Sequence, residues 1–420
     1  MDSCSKMPTL KKTHWQVPAS DFARKTYNPL VTAFMKHIDA VAECDKPMIS
    51  VSVGDPTLFG NLLPPSCVEE SISKTLKDKN AFTNPPPGGF QFAREAIAKY
   101  ASIPGELEVS SKNVYITSGC SSAIEIALRV LSDANDNILI PCPGFTLYGV
   151  LSRHRDVEIR EYRLLPEQSW NVDLDHLESL IDDRTKLIVV VNPSNPCGSV
   201  YSKDHLEDII KVAEKHRIPI LADEIYEYIS FPENQFYPLG AVSKSVPILT
   251  CTGLAKRFNV PGWRCGWLVV HDRNGILAKE VIPGIESLLE DFYSCCSIIQ
   301  ILLPSLLVRV TNDYFKKTIS LVKKNANLLY DELIKIDGIK PIMPGGSMYM
   351  MVGIDVEKFN DIDDDETWSL LLIKEQAMTV MPCSPLGCPN FVRISLTPPY
   401  ETMLNICQRL TEFCVSHKRA

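Results

Sequence analysis

Between residues 113 and 253 the apolar positions fall into short continuous runs. Each run is followed by a stretch in which they recur every third or fourth place. "NVYITS" (113–118) is such a run, and "GCSSAIEIALRVL" after it has the period of a helix. "NILIPCPG", "KLIVVVNPSNPCG" (186–198), "IPILADEIY" (218–226) and "VPILTCTGLAK" repeat the theme. Among them, "DHLEDIIKVAEKH" sets Leu206, Ile209, Ile210 and Ala213 on one helical face. Runs without polar alternation predict strands covered on both faces. Strand and helix in turn predict an α/β fold, a mostly parallel sheet sandwiched by helices.

The rhythm changes in the last hundred residues. A long helical pattern over 312–336 leads to "GGSMYMMVGI", "NFVRISLT" and a final helix near "LNICQRLTEFCV". These predict a smaller α+β domain, completed by the N-terminal segment. The expected division is an arm and part of the small domain in 1–70, a large domain in 71–310 and the rest of the small domain in 311–420. The first 25 or so residues are polar and aperiodic, the pattern of a loose arm. The acidic run "DIDDDE" (361–366) predicts a solvated loop or helix start. "SIIQILLPSLLV" (297–308) is broken by Gln300 and Pro304 and is too short to span a bilayer, so it predicts a buried helix.

Composition narrows the function. A length of 420 residues with 45% hydrophobic and 22% charged residues describes a soluble protein of two or three domains. A net charge of −8 disfavours nucleic acid and is compatible with a small-molecule substrate. The 14 cysteines are scattered without zinc-ligand spacing, which predicts a reduced chain and no metal site. No secretory or membrane-spanning signal is read, so the expected compartment is the cytoplasm. The lysines near the N-terminus leave a weak mitochondrial presequence open.

Ligands of open parallel sheets bind beyond the carboxyl ends of the strands, so the residues there carry the chemistry. Gly119, Cys120, Ser121 and Ser122 open a helix, either as an anion site or as a serine-capped helix start. "NPSNPCG" is a rigid loop whose amides can face an oxygen-bearing ligand. Asp223 and Glu224 end a buried run, where a carboxylate needs a partner, and Tyr226 adds a phenol. Lys256 sits among Gly253, Leu254 and Ala255, a setting that favours a nucleophilic amine, though a surface lysine remains the alternative. Arg264 follows and can hold a phosphate bidentately. Val392, Ile394 and Leu396 alternate, so Arg393 points to the other face of its strand. An anion, a ring oxygen, a ring nitrogen wanting a carboxylate and an aldehyde wanting an amine all belong to pyridoxal 5′-phosphate.

"NPSNPCGSV", "ADEIY" and "GLAKR" followed by "VPGWRCGW" together resemble the fold-type I, class I aminotransferases, the tyrosine-directed members most of all. The likeness runs from "MISVSVGDPTLFGNL" (48–62) to the C-terminal helix. The resemblance implies pyridoxal 5′-phosphate held as a Schiff base on Lys256, with Asp223 on the pyridine nitrogen. Asn195 and Tyr226 would contact the ring hydroxyl oxygen, and Phe145 would stack on the ring. Cys120, Ser121 and Arg264 would hold the phosphate, Arg393 would clamp the substrate carboxylate and Gly54 would lie beside it. It also implies a homodimer that moves an amino group from an amino acid, tyrosine or another aromatic, to a 2-oxo acid such as 2-oxoglutarate. Other activities of the same scaffold stay open: a kynurenine-type aminotransferase, a carbon–sulfur lyase or a non-catalytic relative.

Two positions depart from the family pattern. Asn84, in "NAFTNPPPGGF", stands where relatives carry a tyrosine that reaches the partner subunit's cofactor phosphate. Phe258 stands where a tryptophan is common.

Overall fold

The computed structural model describes residue 15 and residues 17–38, 43–291 and 294–419. The N-terminal arm expected from the sequence falls mostly on residues 1–14 and 16, outside the described residues. Of the remainder, Asp21–Lys25 forms one short helix and Pro29–Ile38 (α1) a longer one.

The central sheet has eight strands: Val114–Thr117 (β1), Asn137–Cys142 (β2), Glu158–Leu165 (β3), Asn171–Val172 (β4), Thr185–Val191 (β5), Ile220–Asp223 (β6), Ile248–Gly253 (β7) and Gly266–His271 (β8). Their order is β1-β8-β7-β6-β5-β2-β3-β4. The run from β7 to β3 is parallel throughout. Only β8, antiparallel to both of its neighbours, and the short edge strand β4 run the other way.

Side chains on β5 show why the apolar runs are continuous. Ile188 and Val190 join one core cluster, together with Leu206, Ile209, Ile210 and Ala213 of the helix Lys203–His216. Leu187, Val189 and Val191 face the opposite cluster, with Ala123, Ile124 and Ala127 of the helix Cys120–Leu131 (α2). Successive strand residues point to opposite faces, so helices on both sides require an apolar residue at every position.

A second sheet is built from Ile339–Ile342 (β9), Tyr349–Ile354 (β10), Met381–Pro382 (β11) and Phe391–Ser395 (β12), in the order β9-β10-β12-β11. It is antiparallel. Its core includes Val322, Ala326 and Leu329 of the helix Asn312–Leu333, and Met403, Ile406 and Leu410 of the helix Tyr400–Ser416. Ile49 and Val51 join the same cluster. Ile49–Ser50 pairs in parallel with Met378–Thr379, which ties the N-terminal segment to this sheet.

The buried helix expected near residue 300 is Ser297–Arg309, with Pro304 inside it. Among the described residues no helix is long and apolar enough to cross a membrane. The acidic run at 361–366 is a helix start with Asp361, Asp363 and Asp364 exposed, as expected, and one residue departs from the solvated reading. Asp364 caps the next helix, but Asp365 is fully buried. Its carboxylate accepts from the Ser384 amide and hydroxyl at 2.8 and 2.5 Å and from the Asn390 amide at 3.1 Å. A single charge in a polar run can thus be taken inward to satisfy a loop's N–H groups, which composition does not reveal.

Glu224, one residue past β6, is also buried. Its carboxylate accepts from the Leu239 amide at 2.7 Å. Burial pushes its pKa up to about 8, the nearby Glu227 and Asp223 charges add to this, and the Leu239 N–H opposes it. The folded chain then keeps a proton that the unfolded chain, near 4.5, has released. The native state binds more protons in that window, so stability falls as pH rises from about 4.5 to 8. Glu224→Gln has no proton to lose. Its thermal midpoint should fall less than the parent's between about pH 5 and pH 9, as scanning calorimetry can measure. An equally steep fall in the variant overturns the assignment.

Candidate active site

The sheet's pairing gathers the chemistry at one end. Asp223 is the last residue of β6, level with Val191 of β5 and Cys251 of β7. Gly266 opens the reversed strand β8 and pairs with Thr117 on one side and Gly253 on the other. The loop from β7 to β8 therefore leaves and re-enters the sheet at the same edge. It carries Lys256 near its start and Arg264 near its end. The spacing of these two residues is the span of that loop.

The helix α2 starts beside them. Its N-cap is Gly119, at φ +84°, and no side chain caps it. The serine cap read as one alternative from the sequence is not formed. Among the described residues no side chain satisfies the Cys120 and Ser121 amides at the positive end of the helix dipole, a ready anion site, while the Ser122 amide turns back to the Gly119 carbonyl at 3.2 Å. Arg264 lies against this turn. The positive φ favours glycine here, and a Cβ on Gly119 would stand 2.5 Å from Arg264 Nη2, so a larger residue would push the guanidinium aside. Gly266 is similarly constrained, since a Cβ there would stand 2.4 Å from the Cys120 amide nitrogen.

Asp223 is 3% exposed. One oxygen accepts from the Tyr148 hydroxyl at 2.6 Å, and the other from the Ile225 amide at 3.2 Å with the Cys120 thiol at 3.8 Å. Burial pushes its pKa up, while these donors and the Lys256 charge pull it back. A cation placed against this carboxylate would hold it ionised. Lys256 Nζ donates to the Gly54 carbonyl and lies 5.9 Å from the centre of the Tyr226 ring. Burial, followed by the neighbouring Tyr349, raises the pKa of the Tyr226 phenol.

Arg393, expected on the non-apolar face of its strand, is 5% exposed rather than solvated. Nη1 donates to Asn195 Oδ1 at 2.7 Å and Nη2 to the Ser52 carbonyl at 2.7 Å. Its Nε has no partner among the described residues. A buried guanidinium with donors to spare is suited to a carboxylate.

All ten residues to which the resemblance gave a role in the site line one cavity of about 460 Å³, while Gly119, Ser122 and Glu224 do not. The ten are Gly54, Cys120, Ser121, Phe145, Asn195, Asp223, Tyr226, Lys256, Arg264 and Arg393. Apolar walls come from Leu30 and Val31 of α1, Ile124, Phe145 and Met381. Phe145 meets the Tyr148 ring edge-on, with centroids 6.0 Å apart. Sequence reasoning missed Tyr148 and Tyr349. Tyr148 lies three places after Phe145 in "PGFTLY", and Tyr349 sits in the apolar run "SMYMMVGI", where a phenol gives no periodic signal. Asn84 is exposed and does not line the cavity, and Phe258 is buried edge-on against Phe315.

Residues 46–410 match the family described as "Aminotransferase class I and II". The chain is 43% identical to the human tyrosine aminotransferase over 407 residues, covering 97% of this chain and 89% of the relative. It is 41% identical to that of Dictyostelium discoideum, covering 96% and 98%. The crystal structure of tyrosine aminotransferase from Leishmania infantum superposes with a TM-score of 0.92 at 30% identity, covering 97% of this chain and all of that one. The alanine aminotransferase of Pyrococcus furiosus gives 0.86 at 25% identity, covering 95% of this chain and all of that one. The fold, the shared cavity and the full-length likeness lead to one assignment: the chain belongs to the class I and II aminotransferase family.

Proposed function

We propose that this aminotransferase moves the amino group of tyrosine, or another aromatic amino acid, to a 2-oxo acid, with 2-oxoglutarate as the acceptor and pyridoxal 5′-phosphate as the cofactor. The observation that carries the reading is one cavity holding Lys256, Asp223, Arg393 and an uncapped helix N-terminus beside Arg264. Its apolar walls at Leu30, Val31 and Ile124 suit an aromatic side chain. The tyrosine aminotransferases among its relatives favour the same donor.

The residues fit the cofactor by the chemistry of their donors. The amides of Cys120 and Ser121 with Arg264 would hold the phosphate. Asp223 would keep a proton on the ring nitrogen, and the Tyr226 hydroxyl with Asn195 would face the ring oxygen. Phe145 would pack on the ring face. The bound cofactor supplies an electron sink for the charge left when a proton leaves the substrate Cα. Lys256 Nζ takes that proton as general base and returns it as general acid. Arg393 grips the α-carboxylate, and Gly54 leaves room beside it. The large domain, residues 71–310, would carry the cofactor side of the cavity. The segments 1–70 and 311–420 would bring the carboxylate clamp over it. A cytoplasmic homodimer completes the reading, with Asn84 facing the partner subunit rather than its own cavity.

Gly119→Ala should weaken cofactor binding about tenfold to a hundredfold, the cost of losing one or two charge-assisted hydrogen bonds. Fluorescence titration of the cofactor-free protein measures it, and unchanged affinity overturns the phosphate assignment. Asp223→Asn should keep the fold and slow turnover on the order of a hundredfold. A circular dichroism spectrum with a rate assay decides, and an unchanged rate removes the role. A screen of amino donors with 2-oxoglutarate should show tyrosine or another aromatic amino acid turned over with glutamate formed. Release of ammonia and pyruvate would mark a lyase instead.

A further inference from the structure

Tyr349 has no role in the reaction as described above, yet it touches three of its parts. It is the first residue of β10 and pairs across the second sheet with Ser395, two places from Arg393. Its side chain is 1% exposed. The Arg393 guanidinium carbon lies 4.1 Å from the centre of its ring. Its hydroxyl is 2.8 Å from that of Tyr226, with the two rings edge-on at 5.7 Å. A Cβ on Gly54 would stand 2.3 Å from the same hydroxyl, so Gly54 is the space in which this phenol sits.

We propose that Tyr349 is a positioning residue that sets two groups at once: its ring holds the plane of Arg393 for the carboxylate, and its hydroxyl donates to Tyr226, turning the Tyr226 proton toward the cofactor oxygen. The direction of that hydrogen bond follows from the cofactor oxygen: a phenol has one proton, and the one that Tyr226 gives to that oxygen cannot also go to Tyr349. Tyr226 Oη is the one hydrogen-bond partner of the Tyr349 hydroxyl among the described residues. With Tyr349 as donor, the Tyr226 proton is free to point into the cavity that both residues line. A phenol that accepts one hydrogen bond also donates the next one more strongly. Arg393 spends one donor each on Asn195 and Ser52, and the Tyr349 ring beneath the guanidinium supports the plane that those two bonds set.

The inference rests on the cofactor reading above, and two variants with two readouts keep the two claims apart. The protein loaded with pyridoxal 5′-phosphate should show a visible absorption band that changes with pH. If the parent shows none, the cofactor reading fails, and this inference fails with it. Given the band, Tyr349→Phe keeps the ring and removes the hydroxyl. A weaker Tyr226 hydrogen bond to the cofactor oxygen stabilises its anionic form less. The pH midpoint of the band should therefore rise by about half a unit to one unit, the worth of one hydrogen bond. The donor KM should hardly change. Tyr349→Leu also removes the ring, and the donor KM should rise roughly threefold to tenfold beyond the midpoint shift. In a Tyr226→Phe background, Tyr349→Phe should move the midpoint no further. An unmoved midpoint in the single Phe variant, or a further shift in the double variant, overturns the link to Tyr226. An unchanged KM in Tyr349→Leu overturns the link to Arg393. If the Leu variant fails to fold, the isosteric Phe variant still decides the hydroxyl's part.

Discussion

A carboxylate buried at the end of a central strand is the constraint to which the rest of the molecule answers. Asp223 lies level with the ends of β5 and β7, 3% exposed. Such a charge is costly in an apolar core unless it is paired or hydrogen-bonded. Tyr148 reaches it from the helix Leu147–Arg153, and Cys120 from the first turn of α2. The Ile225 amide closes in from the chain just beyond β6. These groups leave Asp223 ready for a cation rather than neutralising it. The fold supplies three further fixed points around it: Lys256, the helix N-terminus with Arg264, and Arg393. In the proposed reading, a single molecule carrying a ring nitrogen, an aldehyde and a phosphate would use Asp223, Lys256 and the helix N-terminus with Arg264 together, and its amino-acid partner would use Arg393.

The two sheets divide this work. Strand order in the central sheet, with β8 reversed, returns the chain to the edge it left and so brings Arg264 beside Gly119. The antiparallel sheet contributes Arg393 and Tyr349 from neighbouring strands. Hydrogen bonds from Arg393 to Asn195 and from Lys256 to Gly54 join the two halves across the cavity. The Tyr226–Tyr349 pair is a further crossing. The cavity's geometry is thus set by contacts between elements distant in sequence.

Much of this was legible in the sequence, for physical reasons. The parallel sheet announced itself because burial on both faces demands continuous apolar runs such as "KLIVVV", and a polar residue at the end of one stands out. Asp223, Lys256 and Arg264 were conspicuous for that reason. Arg393 was placed on the correct strand, but its burial was not, since alternation reports a face and not what covers it. Asp365 was hidden in an acidic run, where nothing separates the one inward carboxylate from its solvated neighbours. Tyr148 and Tyr349 were missed because a phenol inside an apolar run looks like core. Its hydroxyl acquires meaning only from a partner that the sequence does not place beside it.

The central claim is that Lys256 Nζ is the group that joins the cofactor and then handles the substrate proton. Borohydride reduction of the cofactor-loaded protein, followed by peptide mapping, tests it most directly. The account predicts a single pyridoxyl-modified lysine at position 256, and no such modification and no turnover in Lys256→Ala. Labelling at another lysine, or full turnover by the alanine variant, would contradict it.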